Sequence, residues 1–307
     1  MPLKCEMWVR IPFDPQMYME LQLIHSKAQR LFKRKMGQAN HFLITILIGL
    51  DEVGKGNVKK PETLDVSWNP QDVTASVKRS REYALNSSLA WIIDNFDSYV
   101  HNCKRKPCIF EDKRLLSEID NADRSVNDKF IVLFNRYKSI EEINKYGALL
   151  ELGIQWRNIV THSEAKNTLD KEYKEILLDN RDWYYDNFCH LNVDDALGHF
   201  KNHKSPTLKE TTSIIKTILK FVELVDSELV KELDVHRYIY EILEVSLSAG
   251  DIKGGQNQRC QLLTLSKERQ LSRITNFLLN NGFVETREKG GYIVDESFIR
   301  KYLEIEL

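Results

Sequence analysis

Apolar residues at three- and four-residue spacing over one long stretch constrain this chain most. Between residues 70 and 103, Val77, Leu85, Leu89, Ile92, Ile93, Phe96 and Val100 recur at the helical period. Asn69-Pro70 reads as an N-cap followed by proline at the first helical position, where the missing N–H costs nothing. Pro107 closes the region. A long helix that is apolar on one face needs other helices to cover that face. The chain is therefore expected to be mainly α, built as an antiparallel helical bundle.

The remaining segments agree. Met17, Leu21, Ile24 and Leu31 are spaced for a helix opening at Pro15 and running to about residue 35, with Gly37 as its stop. Residues 40–53 form a second apolar element, a buried helix or a strand. Val126, Phe130, Leu133, Phe134 and Tyr137 mark a helix over 126–137. Ser139 and Glu142 fit a capping box that opens the next helix, carrying Ile143, Tyr146, Leu149, Leu150, Gly153 and Val160. Further helices are expected over 168–189 and 193–200. Thr207 and Glu210 fit a second capping box, starting a helix to about residue 233 with another following to Leu247. Gly250 to Gln258 reads as a linker. Beyond it come a helix over 267–281 stopped by Gly282, short strands at 283–286 and 292–294 around Lys289-Gly290-Gly291, and a final helix. That small α+β module resembles part of a winged-helix domain. The expected division is thus 1–68, an N-terminal helical region either separate from the bundle or part of it; 69–249, the bundle; and 258–307, the module.

Charge excludes some partners. The 44 basic and 45 acidic residues leave a formal charge of -1, so no global field draws the chain to nucleic acid or an anionic membrane. Local basic clusters at 30–35, 78–81 and 104–106 are the only such patches. The longest apolar run, Phe42 to Leu50, is far short of the ~20 residues that span a bilayer. Five scattered cysteines fit a reducing compartment, and a cytoplasmic location with no membrane association is expected. His101, Cys103 and Cys108 lack the second ligand pair of a zinc site, and no metal or cofactor motif is visible.

One short motif carries chemistry. Arg157-Asn158-Ile159-Val160-Thr161-His162 lies at the end of the helix opened near Ser139. Arginine is always charged and suits a phosphate. Histidine holds or gives a proton near neutral pH. Together they suit RNA cleavage in which the neighbouring 2′-OH attacks the phosphate, histidine moves a proton and arginine stabilises the developing charge. No water has to be activated, so no metal is required. On an ideal helix the two side chains stand ~140° apart, so they converge only if the helix ends between them or two chains form a composite cleft. Such a pair is expected about once by chance in a chain of this composition. Arg34-x6-His41 is a second instance, interrupted by Gly37.

The motif in its context resembles the HEPN family, helical bundles that carry Arg-x4-6-His with a polar residue after the arginine. Over roughly residues 70–245 the pattern is similar: a long helix, a loop, a second helix, then the motif helix. The resemblance implies a metal-independent endoribonuclease acting as a toxin or antiviral effector, usually a homodimer that brings two motifs together. It implies Arg157 and His162 as the catalytic pair and Asn158 as the polar supporting residue, with RNA as substrate and an inhibitory or sensor protein as a further partner. Some members carry a tyrosine two residues after the histidine. Glu164 stands there instead, so the partner that modifies that tyrosine is not expected; Glu164 orients His162 or is a surface charge. The alternative is a non-catalytic HEPN-like scaffold binding RNA or protein, with a nucleic-acid-binding C-terminal module.

Overall fold

The computed structural model describes residues 20–122, 124–161, 167–248, 258–286 and 290–303. Among these, thirteen helices and one two-stranded sheet form, so the chain is mainly α. No described helix is long and apolar enough to cross a membrane. Two compact units are present: residues 25–241, and the described parts of 1–24 and 242–307.

The larger unit begins with α1 (Lys27–Gly54), which pairs along its length with α2 (Val73–Cys103). Ser26 caps α1, its side chain accepting from Gln29 N at 3.0 Å. The helix expected to open at Pro15 therefore starts at Lys27, and residues 1–19 lie outside the described region. Gly37 does not stop it. Phe32, Met36, Ala39, Leu43 and Leu47 keep one buried stripe running past the glycine, and that burial outweighs its ~1 kcal/mol helical penalty. The expected helix to 35 and the element at 40–53 are thus one helix, packed in the bundle with α2, so no boundary between compact units falls at 68/69. Asp72, not Asn69, caps α2, accepting from Ala75 N at 2.9 Å.

Next come α3 (Lys113–Asn121), α4 (Val126–Tyr137) and α5 (Glu141–Thr161). The bounds of α4 match the periodicity. The Ser139 box does not form as expected: α5 opens at Glu141, and the Ile140 carbonyl accepts from Asn144 N at 2.9 Å. Ser139 therefore lies one residue ahead of the cap position. The span 168–189 breaks at Asn180 into α6 (Lys171–Asp179) and α7 (Arg181–Asn187), followed by α8 (Val193–Lys201). The Thr207–Glu210 box is complete and opens α9 (Leu208–Glu232), after which comes α10 (Val235–Ser248).

The core is aromatic at its centre. Phe96 meets Phe221 edge-on at 6.0 Å, Phe130 meets Phe221 at 5.5 Å, and Phe134 meets Tyr173 at 5.1 Å. Each such pair adds about 0.5–1.5 kcal/mol beyond the area it buries. One carboxylate stands at the edge of this core. Asp226 on α9 is fully buried and accepts from Ser26 N at 2.8 Å, Ser26 Oγ at 2.5 Å and Tyr99 Oη at 3.1 Å.

In the smaller unit, β1 (Glu20–Leu23) pairs antiparallel with β2 (Phe283–Thr286). The expected hairpin between 283–286 and 292–294 is replaced by this pairing, with Tyr292 bridging Leu21 on β1. Gly291 permits that approach, because a Cβ there would stand 2.8 Å from Glu20 Cβ. Helices α11 (Gln258–Leu263), α12 (Lys267–Asn280) and α13 (Glu296–Leu303) complete the unit. The expected linker lies almost wholly outside the described residues.

Removing the Asp226 carboxylate orphans three donors. Asp226→Ala is expected to lower unfolding stability by about 2–4 kcal/mol in urea titrations, with Asp226→Asn intermediate. An alanine variant with the wild-type midpoint would show that the network contributes nothing.

Candidate functional site

The site is built on α5, the helix that touches α2, α4, α6 and α9. Burial surrounds it from Ile143 to Trp156. Two glycines allow the contact: a Cβ at Gly147 would overlap the Phe134 ring at 2.3 Å, and one at Gly153 would meet Ile214 at 2.8 Å. Trp156 is fully buried and donates from Nε1 to the Lys204 carbonyl at 2.8 Å.

Arg157 follows, where the helix leaves the core. Its Nη2 lies 3.1 Å from Asp94 Oδ1 on α2, and its Nη1 donates to Asn158 Oδ1 at 3.1 Å. Nε has no protein acceptor among the described residues. The arginine side chain is 16% exposed, whereas Asp94 is 68% exposed. The guanidinium is thus held in place with donor capacity left over, and its one carboxylate partner reaches in from solvent. Thr161 Oγ1 donates to the Arg157 carbonyl at 2.7 Å, closing the last turn. The structure therefore brings Arg157 and Asn158 together. His162 and Glu164 lie outside the described residues.

Sequence reasoning missed Asp94, which no local pattern connects to residue 157. It also missed a polar cluster one to two turns back on α5. Glu151 is 2% exposed and accepts from Gln155 Nε2 at 2.6 Å. The Asn127 amide stands 2.6 Å from Glu151 Oε2, where its nitrogen can donate to the carboxylate or its oxygen accept from the protonated acid. Asn167 donates to Gln155 Oε1 at 2.7 Å, which returns the chain to α5 soon after Thr161. A signal existed: Glu151 and Gln155, four apart, interrupt an otherwise apolar run. Of the aromatics weighed for base stacking, Trp156 and Tyr184 are core, and only Tyr185 is substantially exposed.

Burial pushes the Glu151 carboxyl up to about 7, opposed by the Gln155 hydrogen bond and reinforced by Asp170 and Asp128. The Asp226 carboxyl is pushed up to about 6 by burial, against its hydrogen bonds to Ser26 and Tyr99.

No family model, no curated protein and no solved structure matches the chain.

The raised Glu151 carboxyl has a stability consequence. The folded chain holds a proton that the unfolded chain releases above about 4.5, so this group's contribution is full below 4.5 and lost as pH rises through 7. Glu151→Gln is expected to flatten the fall in urea midpoint between pH 5 and 7.5 by on the order of 2 kcal/mol. Parallel pH profiles for wild type and variant would exclude that role.

Proposed function

We propose that the chain is a metal-independent endoribonuclease of the HEPN type, serving as a toxin or antiviral defence effector. The observation that carries this is the Arg157 guanidinium, fixed at the outer end of α5 with Nε free of protein acceptors and an exposed Asp94 as its one carboxylate. A phosphodiester can displace Asp94 and take two donors at once, the bidentate geometry for which arginine is suited.

In the proposed reaction the 2′-oxygen attacks phosphorus as the bond to the 5′-oxygen breaks. His162 takes the 2′-hydroxyl proton, and a proton is supplied to the leaving oxygen. The products are a 2′,3′-cyclic phosphate and a 5′-hydroxyl. Arg157 neutralises charge on the non-bridging oxygens, and Asn158 steadies the guanidinium through its Oδ1. Glu164 is assigned to orienting His162. RNA is the substrate, two copies act together, and a protein partner restrains or triggers the nuclease.

A second reading has its own support. A non-catalytic scaffold of this fold, binding RNA or protein, fits the apolar outer face of α1 and α2, where Phe42, Ile46 and Trp91 are exposed.

The two readings separate in an RNA-cleavage assay with EDTA present. Arg157→Ala and His162→Ala are each expected to reduce cleavage by about 10²–10³-fold. Asp94→Asn is expected to tighten RNA binding severalfold by removing the competing carboxylate. Equal cleavage by wild type and both alanine variants, or none by wild type, would favour the scaffold.

A further inference from the structure

Helix α1 is apolar on more sides than the bundle covers. Leu43 and Leu47 are buried against the fold. Phe42 and Ile46 flank that stripe on one side, and Ile44 and Ile48 on the other, because successive residues turn by about 100°. All four are about half exposed, and Ile48 reaches 59%. Between α1 and α2 runs a groove of about 600 Å³. Its floor on α2 is small: Ser80, Ala84, Ser87 and Ser88. Its walls are Phe42, Ile46, Tyr83 and Trp91, with Tyr83 75% exposed.

We propose that this face binds a second copy of the chain. Three observations select that occupant. First, the face holds both halves of a fit: the Ile44–Ile48 ridge of one copy enters the small-floored groove of the other, and the reverse contact forms by symmetry, as a two-fold interface requires. Second, a two-fold interface sets residues near its axis against themselves, so charge there repels itself. No charged residue lines the groove, and the nearby Arg81 is already paired with Asp51 within the hairpin. A membrane-binding face would instead set basic residues beside its apolar ones. Third, the area suffices. Phe42, Ile44, Ile46, Ile48, Tyr83 and Trp91 offer on the order of 600 Å² together, against the ~800 Å² each partner gives to a standard interface.

The inference stands on the surface alone and does not depend on the RNA chemistry. Its geometry nonetheless concerns that site. Trp91 lies one helical turn from Asp94, the residue paired with Arg157. Pairing through this face would set the Arg157 helix ends of both copies beside the same interface.

Light scattering coupled to gel filtration of the full chain, at roughly 5–50 µM, tests it. Wild type is expected at twice the 36.0 kDa chain mass. Ile46→Glu combined with Trp91→Glu is expected at a single-chain mass, about 100-fold weaker in self-association, with an unchanged far-ultraviolet circular dichroism spectrum. Ile48→Glu alone, at a more exposed position, is expected to weaken association about tenfold and guards against a folding defect in the double variant. Val66→Glu, exposed in the α1–α2 connection, is expected to remain paired. Wild type at a single-chain mass would overturn the proposal, whether or not it then floats with anionic vesicles. So would a folded Ile48→Glu variant that associates as wild type does. The readout is mass, so loss of pairing and loss of RNA cleavage are separable results.

Discussion

The first turn of α1 sets most of the architecture. Helix N-termini leave backbone N–H groups without partners, and here residues about two hundred positions away help to satisfy them. Asp226 on α9 accepts from Ser26 N, and Tyr238 Oη on α10 accepts from Lys27 N at 3.0 Å. Ser26 Oγ accepts from Gln29 N while donating to Asp226 Oδ1. Tyr99 brings α2 to the same carboxylate. Breaking one partner leaves several buried groups unsatisfied, so four helices are tied at one point. The helix dipole favours an anion there, yet burial still lifts the Asp226 carboxyl to about 6, so desolvation outweighs the hydrogen bonds.

That tie dictates what α1 shows to solvent. With its start pinned and Phe32 packed on Tyr99 at 5.8 Å, the stripe through Met36, Leu43 and Leu47 must face inward. The apolar residues between those positions must then face outward. Phe42, Ile44, Ile46 and Ile48 are exposed because the register is fixed at the other end of the helix. The nine-residue apolar run is thus one buried stripe and two exposed flanks, which a helix buried on one side cannot avoid.

Local signals in the sequence were legible where local physics decides. The spacing of Val126 to Tyr137 located α4, and Thr207 with Glu210 located the start of α9. They misled where distant contacts decide. Gly37 looks like a stop until the burial on both sides of it is counted. Pro15 looked like a helix start, but Glu20–Leu23 is a strand because Phe283–Thr286 pairs with it from the far end of the chain. Ser139 has the right chemistry for a cap and sits one residue too early. The position of Arg157 at a helix end was readable. Its partner Asp94 was not, since an ion pair between two helices leaves no trace in the spacing of either.

The strength of that ion pair matters to the proposed chemistry. Arg157 is placed by the packing that ends at Trp156, not by its contact with Asp94. An ion pair with so exposed a carboxylate contributes about 0–1 kcal/mol. Hydrogen bonds to charged groups in better geometry contribute about 1.5–3 kcal/mol, and Nε is available for one. Exchange of Asp94 for a diester oxygen pair therefore costs little and gains a second donor. The arginine stays where it is during that exchange, because α5 is locked by Gly147 against Phe134 and Gly153 against Ile214. A cation held by the core and only loosely satisfied at its tip is preorganised for an incoming anion, with no helix having to move.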